Sequence, residues 1–190
     1  MARMRTFLAV ELSEEVRETI TDLQGELMTV GTEVKWTEPG NLHVTLLFLG
    51  EVEDREVHRV CRITEETVRG HAPFRMAVEQ IGCFPHVRRP RVLWVGIGAG
   101  TQELVAIHDA LEEPLMDLGY RREERRYTPH ITLGRVKSDR PLEGLQRALA
   151  RHAGWQGGEM TVREVAVLSS ELTPEGPLYT VLSRARLTSE

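Results

Sequence analysis

Apolar and polar positions change their period several times along this chain, and each change marks an element. An unbroken apolar stretch, Phe7-Leu8-Ala9-Val10, predicts a strand over residues 5–12. Val16, Ile20, Leu23 and Leu27 then recur at helical spacing, with Ser13 as N-cap, Glu14 and Glu15 suited to the first turn, and Gly31 as a stop. A short strand is predicted at 34–36 and a turn at 38–41. The turn delivers a second apolar run at 42–50, closed by Gly50. Asp54 is the expected cap of a second helix with Val57, Val60, Cys61, Thr64 and Val68 on its core face, ending at Gly70. Residues 74–81 read as a strand, and 84–90, with prolines and charges, as a loop.

The order then repeats. Residues 91–97 predict a strand, and Thr101 is the expected cap of a helix carrying Leu104, Leu111, Leu115 and Leu118, stopped at Gly119. A polar, irregular segment at 120–128 precedes another strand-like run at 127–136. A helix is expected over 138–152 with Pro141 near its start, then one strand or two over 160–170, a turn at 173–177 and a last strand at 178–187. Each half reads strand, helix, strand, helix, strand. The expectation is one α+β domain over 1–190, made of two pseudo-repeated halves at about 1–85 and 86–190. The short connections favour mainly antiparallel pairing.

The third element of each half carries the chemistry. Side chains two apart on a strand share a face, so His43 and Thr45 point one way, and so do His130 and Thr132. One His-x-Thr is weak evidence, because a lone histidine on a strand is more often packed or capping, and a lone threonine reflects β-propensity. Two copies at matched places in two half-repeats are far more specific. Two imidazoles facing one cleft form an acid–base pair that works near neutral pH. Two hydroxyls beside them can donate to the non-bridging oxygens of a phosphate. One neutral histidine would take a proton from the nucleophile; the other, protonated, would donate to the leaving oxygen. The spacing does not say which is which. A zinc site on His43 and His130 lacks an evident third ligand, and no cofactor or metal is expected.

Composition narrows the setting. A net charge of −5 argues against a broad, sequence-blind nucleic-acid surface, though not against a local basic groove. The two cysteines, Cys61 and Cys83, form no Cys-x-x-Cys, so neither a disulfide framework nor a cysteine-rich zinc site is expected. The apolar run near the N-terminus is too short for a signal or a membrane span. The expectation is a cytoplasmic monomer that does not engage a membrane.

At these residues the chain resembles the two-histidine (2H) phosphoesterases, and within them the RNA 2',3'-cyclic phosphodiesterases once named 2'-5' RNA ligases. The resemblance runs over nearly the whole chain. It includes Asn41-Leu42-His43-Val44-Thr45-Leu46 with Phe48-Leu49-Gly50, Pro90-Arg91-Val92-Leu93-Trp94, Pro129-His130-Ile131-Thr132-Leu133-Gly134-Arg135, and Gly176-Pro177-Leu178-Tyr179. It implies a bilobal pseudo-twofold α+β fold, two mainly antiparallel sheets with flanking helices around a central groove lined by the His-x-Thr pairs. It implies His43 as proton donor and His130 as proton acceptor in opening the 2',3'-cyclic phosphate of an RNA end to a 2'-phosphate. Reversible 2'-5' ligation, hydrolysis of 2'-5' oligonucleotides or small cyclic phosphates, and RNA-end binding without turnover are the rival readings. Arg135 matches a family position and could balance phosphate charge, yet strict alternation puts it on the face opposite His130. Tyr127 could stack on a base or simply pack. Arginines 121, 122, 125 and 126 could contact an RNA backbone, with Glu123 and Glu124 diluting them toward a solvated charge run. The other five histidines lack the paired context and read as surface or structural.

Overall fold

The structure, a computed structural model, describes residues 3–137 and 142–188. β1 (Arg3–Glu11) is the apolar run, and Phe7, Leu8, Ala9 and Val10 are all buried because both faces of the strand are covered. Ser13 caps α1 (Glu14–Met28): its hydroxyl accepts from the Val16 N–H at 3.4 Å, with Glu14 and Glu15 at the positive end of the helix dipole. Val16, Ile20, Leu23 and Leu27 face the core, each burial contributing about 1.5–3 kcal/mol. β2 (Val34–Trp36) and a 3-10 turn (Pro39–Asn41) lead into β3 (His43–Glu53).

α2 (Asp54–Val68) follows β3 without a gap. Its N-cap is Glu53, so Asp54, the expected cap, is the first helical residue. β4 (Phe74–Phe84) extends past the expected end at Ile81, because Gly82, Cys83 and Phe84 pair with Trp94, Leu93 and Val92 of β5 (Val92–Ile97). α3 (Thr101–Met116) is capped by Gly100, not by the expected Thr101. Gly100 sits at φ 90°, and a Cβ there would approach the Arg75 carbonyl to 2.8 Å. The Thr101 hydroxyl instead donates to the Ile97 carbonyl at 2.7 Å. β6 (His130–Val136) and α4 (Glu143–Arg151) follow; the expected helix start at 138–141, with Pro141, lies outside the described residues. The last strands are β7 (Gln156–Val162), β8 (Glu164–Leu172) and β9 (Pro177–Arg186), so the segment expected as one strand or two is two, divided at Arg163.

All strand pairs among the described residues are antiparallel, in the order β7-β4-β5-β6-β3-β1-β8-β9, with β2 on β6. The order is symmetric about the β6–β3 junction, where one residue pair, Val44 and Ile131, joins the two expected sheets into one. Neither lobe is built from one half of the sequence alone: β4 lies beside β5, and β8 and β9 lie beside β1. The helices cross over as well. α1 packs on β7, and α3 packs on α2 and β3. His152, just after α4, bonds Glu26 of α1 at 2.7 Å.

The main core lies between helices and sheet, with Leu8, Val44, Leu46, Val95, Ile131 and Leu133 meeting Ile20, Leu23, Leu104 and Leu111. A second, small cluster covers the opposite face: Phe7, Ala9, Ala166 and Leu168, with Tyr179 and Val181 packed against it. Among the described residues no helix is long and apolar enough to cross a membrane.

Candidate active site

β3 and β6 touch only near their first residues and then diverge, so His43 and His130 start at the junction and each strand carries its own Thr onward. His43, Thr45, His130 and Thr132 all line one groove of about 500 Å³. The imidazoles are held alike. His43 Nδ1 donates to the Asn41 carbonyl and His130 Nδ1 to the Thr128 carbonyl, each at 2.7 Å. A carbonyl can only accept, so Nδ1 keeps its proton in either charge state and Nε2 is the nitrogen that titrates. His43 Nε2 lies 2.8 Å from Thr45 Oγ1. The Asn41 carbonyl is itself positioned, since Asn41 closes the 3-10 turn through Glu38 and its side-chain amide donates to the Pro177 carbonyl at 2.9 Å.

Alternation does not continue along either strand. On β6 the register slips between Leu93 and Trp94, so Leu133 is an extra residue without a ladder partner. The bulge shifts the phase by one and brings Arg135 into the groove beside His130 and Thr132, which overturns the opposite-face expectation. On β3 the slip between Leu8 and Ala9 leaves Leu46 unpaired at the equivalent place, and it brings Phe48 into the groove. The symmetric positions thus carry a guanidinium at one end and an exposed phenyl ring at the other. Both bulges are held from the core side. Gln24, buried on α1, donates from Nε2 to the Leu133 and Thr37 carbonyls, each at 2.9 Å. The Tyr127 hydroxyl donates to the Thr45 carbonyl at 2.8 Å. Gly134 allows β2 to lie close, since a Cβ there would meet Val34 Cγ1 at 2.7 Å.

The two imidazoles differ in surroundings. Phe7 and Tyr179 wall His43, with ring centroids 5.1 and 5.5 Å away, whereas Phe84 meets His130 edge-on at 5.3 Å. Burial is the main force holding His43 below its ordinary pKa of 6.5; the hydrogen bond to Asn41 opposes it, and the nearby His130 charge adds to it. The free protein therefore keeps His43 neutral at pH 7. Burial also pushes the Tyr179 phenol up, against the pull of Arg135 and Arg5.

Tyr127 does not line the groove. Its ring stacks on His108, centroids 4.2 Å apart and planes 2° from parallel, and burial pushes its phenol up. Of the other histidines set aside, His108 makes that stack and His152 bonds Glu26. Arginines 121, 122 and 125 lie outside the groove, in a neighbouring hollow. Among the described residues, no three of His, Cys, Asp and Glu lie close enough together to hold a metal ion. Sequence reasoning missed Phe7, Phe84 and Tyr179 as site walls. The one available signal was that 7–10 is apolar without alternation, which marks a strand buried on both faces.

A curled antiparallel sheet with a His-x-Thr pair on each side of one groove is the architecture of the two-histidine phosphoesterases. Residues 12–174 match the 2'-5' RNA ligase superfamily. An RNA 2',3'-cyclic phosphodiesterase of Methanothermobacter thermautotrophicus is 36% identical over 97% of this chain and 100% of its own. One of Archaeoglobus fulgidus is 38% identical over 93% of this chain and 96% of its own. Among solved structures, the Thermus thermophilus protein TT0787 superposes with a TM-score of 0.84 at 32% identity, covering 98% of this chain and all of its own. Escherichia coli LigT, crystallised with 3'-AMP, shares the fold at a TM-score of 0.80 and 24% identity, over 99% of this chain and 100% of its own. The chain belongs to the 2'-5' RNA ligase superfamily.

Proposed function

We propose that this protein is an RNA 2',3'-cyclic phosphodiesterase that opens cyclic phosphate ends to 2'-phosphates without a metal. The observation that carries the reading is the pair of Nε2 atoms, each oriented by an Nδ1–carbonyl bond, in one groove with two threonine hydroxyls. Relatives that span nearly their full length against this chain carry that activity in their names. In the proposed reaction His130 Nε2 takes a proton from water, and the water oxygen bonds to phosphorus. The bond from phosphorus to the 3' oxygen breaks, and His43 Nε2 gives that oxygen its proton. Thr45 and Thr132 donate to the non-bridging oxygens, and Arg135 offsets their charge. His43 is neutral in the free protein at pH 7, so as a donor it takes up its proton together with the anionic substrate, whose charge raises its pKa.

The test is incubation of the pure protein with a 2',3'-cyclic-phosphate RNA after prolonged chelation with EDTA. The expected product end is a 2'-phosphate, at an undiminished rate. Loss of activity in EDTA, restored by zinc or magnesium, would remove the metal-free mechanism.

A further inference from the structure

The two half-sites meet at a single point in the sheet. Val44 and Ile131 are the one ladder pair between β3 and β6 among the described residues, and beyond it the strands part. In-line displacement needs the base on one side of phosphorus and the acid on the other, so the spacing of the halves matters as much as the order within each. The other bonds that hold the site do not set that spacing. The two carbonyls that Gln24 holds both lie on the β6 side, and Asn41 and Pro177 both lie on the β3 side. Tyr127 is different. It stands three residues ahead of His130, and its hydroxyl crosses to β3 to donate to the Thr45 carbonyl at 2.8 Å. The adjoining Thr128 carbonyl holds His130 Nδ1 at 2.7 Å, while Thr45 Oγ1 lies 2.8 Å from His43 Nε2. One bond therefore ties the backbone that aims His130 to the backbone that carries His43 and Thr45. α3 fixes the ring from the other side: His108, 9% exposed, lies flat against it at 4.2 Å, with its own Nδ1 2.9 Å from Asp109 Oδ1.

We propose that Tyr127 is a positioning residue: its hydroxyl fixes the distance between the two His-x-Thr pairs and so aligns acid and base across one phosphate. This rests on the reading of the groove as a cyclic-phosphate site. The hydroxyl carries the function and the ring only supports it, because a phenylalanine would keep the stack on His108 and lose just the bond to β3. Burial pushes the phenol up, so it stays a donor throughout the pH range in which the histidines titrate, and it moves no proton itself. The effect belongs to the transition state. A bound phosphate tolerates a small change of spacing, whereas attack and departure along one line do not.

The experiment measures kcat and KM separately for a mononucleoside 2',3'-cyclic phosphate in wild type, Tyr127→Phe and Thr101→Ala. Thr101→Ala controls for stability, since it removes a bond of the same kind, from a hydroxyl to the Ile97 carbonyl, at the start of α3. Tyr127→Phe should lower kcat by roughly 10- to 100-fold, the upper figure being the cost of about 1 Å of misalignment. KM should change little, and both limbs of the pH–rate profile should stay in place. Thr101→Ala should leave kcat unchanged. In His130→Ala no base remains to be aligned, so adding Tyr127→Phe should cost little further. An unchanged kcat in Tyr127→Phe, a rise in KM alone, an equal loss in Thr101→Ala, or a full multiplicative loss on top of His130→Ala each overturns the positioning role. If wild type turns over no cyclic phosphate, the reading of the groove falls, and the positioning role with it.

Discussion

At the scale of residues, the sequence spelled out the His-x-Thr pairs and hid the facing of Arg135. His43 and Thr45, like His130 and Thr132, need only the two-residue period of a strand to share a face. Arg135 needs a bulge at Leu133, and Thr-Leu-Gly-Arg carries no hydrophobic signal for one. The pair of histidines yields a sharp prediction. His43→Ala and His130→Ala should each lower turnover by about 10²–10⁴-fold with the fold intact. Their residual pH profiles should be single-sided. With the base gone, His130→Ala depends only on a protonated His43, so its activity falls as pH rises. Burial, the larger cause of the His43 shift, remains in that variant, so in kcat/KM, which reports the free protein, the midpoint lies below 6.5. With the acid gone, His43→Ala depends on a neutral His130, so its activity rises with pH. Exchanged profiles would reverse the roles; near wild-type turnover in either variant would end the two-histidine mechanism.

At the scale of elements, the helices and strands were legible from period, but their ends were not. Asp54 and Thr101 are good capping residues in the wrong place: β3 runs straight into α2, and the tight approach of the Arg75 carbonyl reserves the cap of α3 for Gly100. The role of Gln24 was equally hidden, since a glutamine on a helix face reads as solvent-exposed until the tertiary fold buries it. Gln24→Leu should destabilise the protein by about 1–3 kcal/mol, because the Thr37 carbonyl loses its side-chain donor and the Leu133 carbonyl is left with the Thr37 N–H alone. It should also raise KM for cyclic-phosphate RNA, since the bulge that aims Arg135 is loosened. Urea unfolding with steady-state kinetics checks both, and an unchanged midpoint would show that the clamp contributes nothing.

For the whole molecule, the half-repeat was visible in the order of elements, and the α+β class followed from it. The exchange of strands was not, because no local pattern says that β4 joins the far lobe. The exchange predicts one cooperative unit. Trp36 and Trp94 lie in the lobe built on β6, and Trp155 directly precedes β7 of that lobe, so tryptophan fluorescence samples one lobe while far-ultraviolet circular dichroism samples both. The two signals should trace a single coincident urea transition. Fluorescence changing well before or after the dichroism would mean that the lobes unfold separately. The pairing of β1 with β8 also bears on how the chain folds as it is made. An early strand has to wait for a later one: when β1 emerges from the ribosome β8 is still unsynthesised, and the long-range closure that completes the first lobe can come only after about 160 further residues have been made.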